Sequence, residues 1–145
     1  MQKRIPKVLF NASVILAGLK SPAGGSAKLL NFTKSGKITG VISEIILDEV
    51  IRNCPKLALN TEKELKKINE IFTAISPAPR ESFVNAWKNI VIDYGDAHIL
   101  ASAKELKVDY LVTLDQKHLL SIQRVVKSVK IVSPKDLIEK LSSSN

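Results

Sequence analysis

Short apolar runs alternate along the chain with longer stretches in which apolar residues recur every three or four positions, the pattern of buried parallel strands joined by amphipathic helices. Lys7 to Phe10 and Ile38 to Ile42 are the first two runs, and they end at the polar residues Asn11 and Ser43. Between them Ser21-Pro22-Ala23-Gly24-Gly25 reads as a turn. Ser26 to Phe32 then carries Leu29, Leu30 and Phe32 into a helix that stops near Ser35-Gly36, so strand, helix, strand is the simplest parse.

Ser43 caps the next helix, in which Ile46, Val50 and Ile51 form the apolar stripe until Asn53-Cys54-Pro55 breaks it. Thr61 to Phe72 repeats the design, with Thr61 as cap, Glu64 placed as in a capping box, and Leu65, Ile68 and Phe72 facing inward. Pro77 and Pro79 mark a loop, Glu81 to Trp87 fits a short helix, and Asn89 to Ile92 fits an extended piece leading to Asp93. From Asp96 to Leu106 the residues Ile99, Leu100, Ala103 and Leu106 share one helical face, and Asp96 lies on it. A strand over Tyr110 to Thr113, a short helix over Gln116 to Ile122, a strand over Lys130 to Val132, a helix after Pro134 and a frayed tail from Ser142 to Asn145 complete the chain. The alternation predicts an α/β fold, a three-layer α/β/α sandwich with a mainly parallel sheet. The 145 residues, 45% of them hydrophobic, suffice to fill one core, so a single domain over 1–145 is expected.

Composition narrows the setting. No apolar run approaches the roughly 20 residues of a membrane span, and Met1-Gln2-Lys3-Arg4-Ile5-Pro6-Lys7 leads into a strand rather than a signal sequence, so the expectation is a soluble, cytoplasmic protein without membrane contact. Cys54 is the only cysteine, which excludes an intramolecular disulfide and a cysteine metal cluster. The net charge of +8 is spread along the chain without an arginine-rich block, and it fits a polyanion-binding surface and a lysine-rich solvated exterior equally well.

The candidate chemistry lies in the polar residues at the ends of the predicted elements. Asn11 follows the first strand, Asp96 begins the long helix and Asp115 follows Tyr110-Leu111-Val112-Thr113-Leu114; in a parallel sheet all three face one edge, where α/β proteins place their sites. Glu49 reaches the same place if its helix packs across that edge. Crowded carboxylates repel unless a cation neutralises them, and oxygen ligands without a paired histidine or cysteine suit Mg2+ or Mn2+. Such an ion supports phosphodiester hydrolysis without a covalent nucleophile. Each acid also has a simpler reading. Asp93 and Asp96 can serve a helix N-terminus, Asp115 can cap the helix from Gln116, and Glu49 shares its helix with Glu44 and Asp48. Ser13 and Thr113 can orient the acids or act as turn residues. His98 and His118 read as surface residues, and Trp87 as a packing anchor. The Ala23-Gly24-Gly25-Ser26-Ala27-Lys28 turn lacks the ending of a phosphate loop.

Taken in order, four segments resemble the PIN domain ribonucleases over nearly the whole chain. Phe10-Asn11-Ala12-Ser13-Val14-Ile15-Leu16 looks like the opening motif, and Ser43 through Glu49-Val50 looks like the second. Asp93-Tyr94-Gly95-Asp96-Ala97 through Ala101-Ser102-Ala103 looks like the third, and Leu111-Val112-Thr113-Leu114-Asp115 like the fourth. The Gly25-Ser26 turn followed by Leu29-Leu30, and the closing Ile131-Val132-Ser133-Pro134, are similar to a VapC-like subgroup of toxin components of toxin–antitoxin pairs. The resemblance implies an Mg2+- or Mn2+-dependent endoribonuclease that binds RNA, forms a homodimer and is silenced by a small antitoxin. It also implies that Asn11, Glu49, Asp96 and Asp115 are the catalytic, metal-holding set, with lysines lining the approach of the RNA. The chain departs from the family at Asn11, where aspartate is usual. An amide oxygen can ligate a hard cation but brings no charge, and at about 4 Å and an effective dielectric near 20 one unit charge is worth roughly 4 kcal/mol against another. Reduced metal affinity and reduced activity follow as the expectation. The rival readings are a non-catalytic PIN-like module that binds RNA or protein, and an unrelated receiver-like domain, which requires an acid where Asn11 stands.

Overall fold

β1 (Lys7–Phe10), β2 (Thr39–Ser43), β3 (Ile75–Ser76), β4 (Tyr110–Val112) and β5 (Lys130–Val132) form a five-stranded sheet in the order β3-β2-β1-β4-β5, every pair of it parallel. The computed structural model describes residues 4–87, 94–123, 126–127 and 129–143. β1 occupies the centre, and its residues Val8, Leu9 and Phe10 are fully buried because a central parallel strand is covered on both faces. The Phe10 ring meets Phe72 edge-on, with centroids 5.3 Å apart.

The connecting helices are α1 (Ala12–Lys20), α2 (Gly25–Ser35), α3 (Glu44–Asn53), α4 (Thr61–Ile71), α5 (Glu81–Asn85), α6 (Tyr94–Glu105) and α7 (Pro134–Ser143). α1 packs on α2 and α3, α2 also meets α4 and α7, and α5 packs on α6. The chain steps outward from β1 to β2 to β3, then returns through α5 and α6 to β4 on the other side of β1. Right-handed crossovers therefore put α5 and α6 on the face opposite α1 to α4, which gives the three-layer α/β/α sandwich that the alternation predicts. The reversal of direction also opens a crevice at the carboxyl ends of β1 and β4, the switch point of the sheet.

Local chemistry explains where the elements begin and end, and where they differ from the sequence expectation. Ser43 ends β2 and caps α3, its hydroxyl accepting from the Ile46 N–H at 3.2 Å. α2 stops at Gly36, whose φ of 84° is the left-handed conformation glycine accepts without strain. α1 is a helix that the strand-helix-strand parse omits; it is apolar at nearly every position from Ala12 to Leu19, so it shows no polar face to reveal its period. The cap of α4 is Asn60, which accepts from the Lys63 N–H at 3.0 Å, rather than Thr61. Glu64 forms no capping box: it is only 4% exposed, with its carboxylate 3.7 Å from Lys67 Nζ. β3 lies in the segment before Pro77, too short to carry an alternation. Gln116 to Ile122 is a turn followed by a single 3-10 turn, Leu120–Ile122, instead of one helix. The helical residues Ser142 and Ser143 belong to α7, not to a frayed tail, while residues 144–145 and the predicted extended piece and cap at 89–93 lie outside the described residues. No helix among the described residues is long and apolar enough to cross a membrane. Cys54 is buried, and burial, reinforced by the Glu64 carboxylate, pushes its thiol above the usual range.

At the edge opposite the crevice, Asp109 secures the entry into β1. Its Oδ2 accepts from the Lys7 N–H at 2.8 Å, its own N–H donates to the Lys7 carbonyl at 2.8 Å, and Arg4 pairs with its Oδ1. Burial alone would raise the Asp109 carboxyl, but the Lys7 N–H and the Arg4 guanidinium outweigh it and hold the group below the usual carboxylate range. A depressed folded-state pKa contributes stability that is present above the unfolded value, roughly 4, and is lost as pH falls through the folded value. Asp109→Asn is accordingly expected to lower stability by about 1–2 kcal/mol at pH 7, with the gap to the parent chain closing below about pH 4. Urea unfolding at pH 7 and pH 3 reads both effects, and a gap that is the same at the two pH values contradicts the assignment.

Candidate metal centre

Parallel pairing of β1 and β4 aligns Leu9 with Leu111 and Phe10 with Val112, so Asn11 and Thr113 leave the sheet side by side. The Asn11 N–H continues the ladder to the Val112 carbonyl at 3.0 Å. Beyond it the side chains take over. Asn11 Nδ2 donates to Thr113 Oγ1 at 2.9 Å, and Asn11 Oδ1 accepts from the Ser13 N–H at 3.2 Å, which makes Asn11 the N-cap of α1. The Ser13 N–H can only donate, so the amide orientation follows from its neighbours. Thr113 Oγ1 also accepts from the Asp115 N–H at 3.0 Å, and Ser13 Oγ accepts from the Leu114 N–H at 3.2 Å. Ser13 and Thr113 thus tie the ends of β1 and β4 together and aim the turn that carries Asp115.

The crevice above this junction is a cleft of about 280 Å³ whose walls include Asn11, Ser13, Glu49, Asn53, Asp96 and Asp115. All four polar residues predicted for the site line it. Asp96, in the first turn of α6, is 8% exposed. Asp115 is half-buried, and its Oδ1 accepts from the His118 N–H at 2.9 Å, so it caps its turn as well as facing the cleft. The ambiguity among the acids of α3 is resolved by packing. Glu44 accepts from the Ala78 N–H at 3.1 Å and ties down the loop after β3, Asp48 pairs with Arg52 at 3.2 Å on the exposed side, and Glu49 faces the cleft. Among the described residues that line the cleft, none is a lysine or arginine.

His118, which the sequence pattern places at the surface, is half-buried beside the acids. His118 Nδ1 lies 3.3 Å from Asp115 Oδ2, and Asp96, Asp115 and His118 each offer a ligand atom within 4.8 Å of the others. Glu49 lines the same cleft without joining that trio. The signal was present as the three-residue spacing from Asp115 to His118, which brings the two together once the chain turns. A buried carboxylate, a half-buried carboxylate and an imidazole this close suit a divalent cation, which relieves the repulsion between the acids.

The junction yields a stability prediction. Thr113 is fully buried, and Thr113→Val would remove the acceptor of two N–H donors while keeping the shape. The expected loss is about 2–4 kcal/mol, since each buried donor left unpaired costs roughly 1–3 kcal/mol. Thermal or urea unfolding checks it, and a loss below about 0.5 kcal/mol contradicts the junction's role.

Comparison with known proteins agrees with the geometry. The family model described as PIN domain matches residues 7–117, the segment that contains Asn11, Glu49, Asp96 and Asp115. Among solved structures, the chain is similar to VapBC2 from Rickettsia felis, solved bound to a DNA fragment from its promoter, with a TM-score of 0.65 and 14% identity over 88% of this chain and 98% of that one. It is also similar to PAE2754 from Pyrobaculum aerophilum, with a TM-score of 0.65 and 18% identity over 95% of this chain and 96% of that one. No curated protein matches. The family model spans the greater part of the sequence and the fold agrees over nearly its whole length, so the chain belongs to the PIN domain family.

Proposed function

We propose that the chain is a metal-dependent endoribonuclease that hydrolyses RNA phosphodiesters, the toxin of a toxin–antitoxin pair. The observation that carries this reading is the convergence of Asn11, Glu49, Asp96 and Asp115 on one cleft at the switch point of the sheet. Asp96 and Asp115 would hold an Mg2+ or Mn2+ ion from two sides, with Glu49 and the amide oxygen of Asn11 completing the oxygen set. Such an ion, when bound, polarises the phosphodiester and lowers the pKa of the attacking water. The protein's own contribution is position. Thr113 and Ser13 fix the turn of Asp115 relative to Asn11, and α6 holds Asp96 where little solvent competes for it. The likeness to VapBC2 supports a protein antitoxin as partner, and on the same reading the toxin is a homodimer.

Asn11 specifically favours a second reading, a PIN module that binds RNA or protein without cutting. Its amide supplies no charge, and its oxygen already accepts the Ser13 N–H. The hydrogen-bond frame itself would accept an acid: with Asp at position 11 the Thr113 hydroxyl need only turn its proton toward the carboxylate, and the Ser13 N–H keeps its acceptor.

Manganese-dependent cleavage of single-stranded RNA separates the readings. Under the nuclease reading the chain cuts RNA, EDTA abolishes the activity, Asp96→Asn removes it, and Asn11→Asp raises it roughly tenfold or more as the missing charge returns. Equal activity of Asn11→Asp and the parent would remove the significance of Asn11. No cleavage by either protein, together with no heat on titration with millimolar manganese, would establish the binding module.

A further inference from the structure

Beside the oxygens of the four polar residues stands one nitrogen donor, the His118 imidazole, 3.3 Å from Asp115. We propose that His118 is a direct metal ligand, and that with Asp96 and Asp115 it makes the site select a borderline divalent cation, of the zinc or cobalt class, over magnesium. This rests on the metal-site reading above and deepens it. Two ligand atoms each about 2.0–2.2 Å from one ion lie roughly 3–3.5 Å apart at tetrahedral or octahedral angles. The 3.3 Å from His118 Nδ1 to Asp115 Oδ2 falls in that range, and Asp96 offers its atom within 4.8 Å of both. The turn that presents the imidazole is held by the Asp115 carboxylate itself, through Oδ1 and the His118 N–H at 2.9 Å, so ligand and partner are oriented together.

Charge and softness point the same way. With an amide in place of an acid at position 11, the cleft holds three carboxylates, Glu49, Asp96 and Asp115. Magnesium sheds water reluctantly and relies on carboxylate charge, so it loses most from an amide at position 11. Zinc and cobalt gain from an imidazole nitrogen what they lose in charge. His118 thereby offsets the departure at Asn11 for one class of ion only.

Calorimetric titration of the full chain with zinc chloride and with magnesium chloride tests the proposal, together with NMR of the imidazole resonances. His98 and His118 are the only histidines, which makes those spectra simple to assign. His118→Ala is expected to weaken zinc binding by about tenfold or more, with magnesium affinity changed by no more than about twofold. Zinc should move the His118 resonances and leave those of His98 in place. Zinc affinity unchanged in His118→Ala, while Asp96→Asn still abolishes binding, overturns the role of His118 and leaves the metal site standing. Absent zinc binding with magnesium still bound overturns this inference and leaves the site reading standing; binding of both metals that is indifferent to Asp96→Asn, or absent, overturns both.

Discussion

The parallel pairing of β1 with β4 is the constraint on which the site depends. These strands are distant in sequence and adjacent in the sheet because the chain runs outward through β2 and β3 before returning. Their shared register sets Asn11 beside Thr113, and the backbone ladder hands over there to side-chain hydrogen bonds. A slip of one residue would turn Asn11 and Asp115 away from each other and bury polar groups in the core. The fully buried strand residues Leu9, Phe10, Leu111 and Val112 prevent that slip, so the hydrophobic core and the placement of the acids are one problem with one solution.

From that junction the remaining geometry follows in steps. Asn11 caps α1, Thr113 orients the Asp115 turn, and Asp115 in turn orients His118. Asp96 and Glu49 arrive from helices on different connections and meet the junction in the cleft. The departure at Asn11 is conservative for the frame, because the amide satisfies the same neighbours an acid would. It is not conservative for charge, because the amide lacks the unit negative charge that an aspartate brings.

Much of this was legible in the sequence because it is local. The short apolar runs of β1, β2, β4 and β5, the Ser43 cap, the Gly36 stop and the apolar face beside Asp96 all announce themselves within a few residues. What escaped was set at longer range or lacked contrast. α1 is too uniformly apolar to show a period, β3 takes its identity from pairing with β2, and Asn60 beside Thr61 offered two adequate caps. Nothing local distinguishes Glu49 from Glu44 and Asp48; a loop contact and an exposed ion pair occupy the other two. His118 shows the opposite case, a local spacing whose meaning depended on where Asp115 stood.

On the proposed function, the β1–β4 junction supports a cation between Asp96 and Asp115. A crystal of the chain equilibrated with manganese, measured by anomalous scattering, tests it most directly. The expected result is a manganese peak in the cleft within bonding distance of Asp96 and Asp115. A peak only at surface carboxylates outside the cleft, or no peak at saturating manganese, would contradict it.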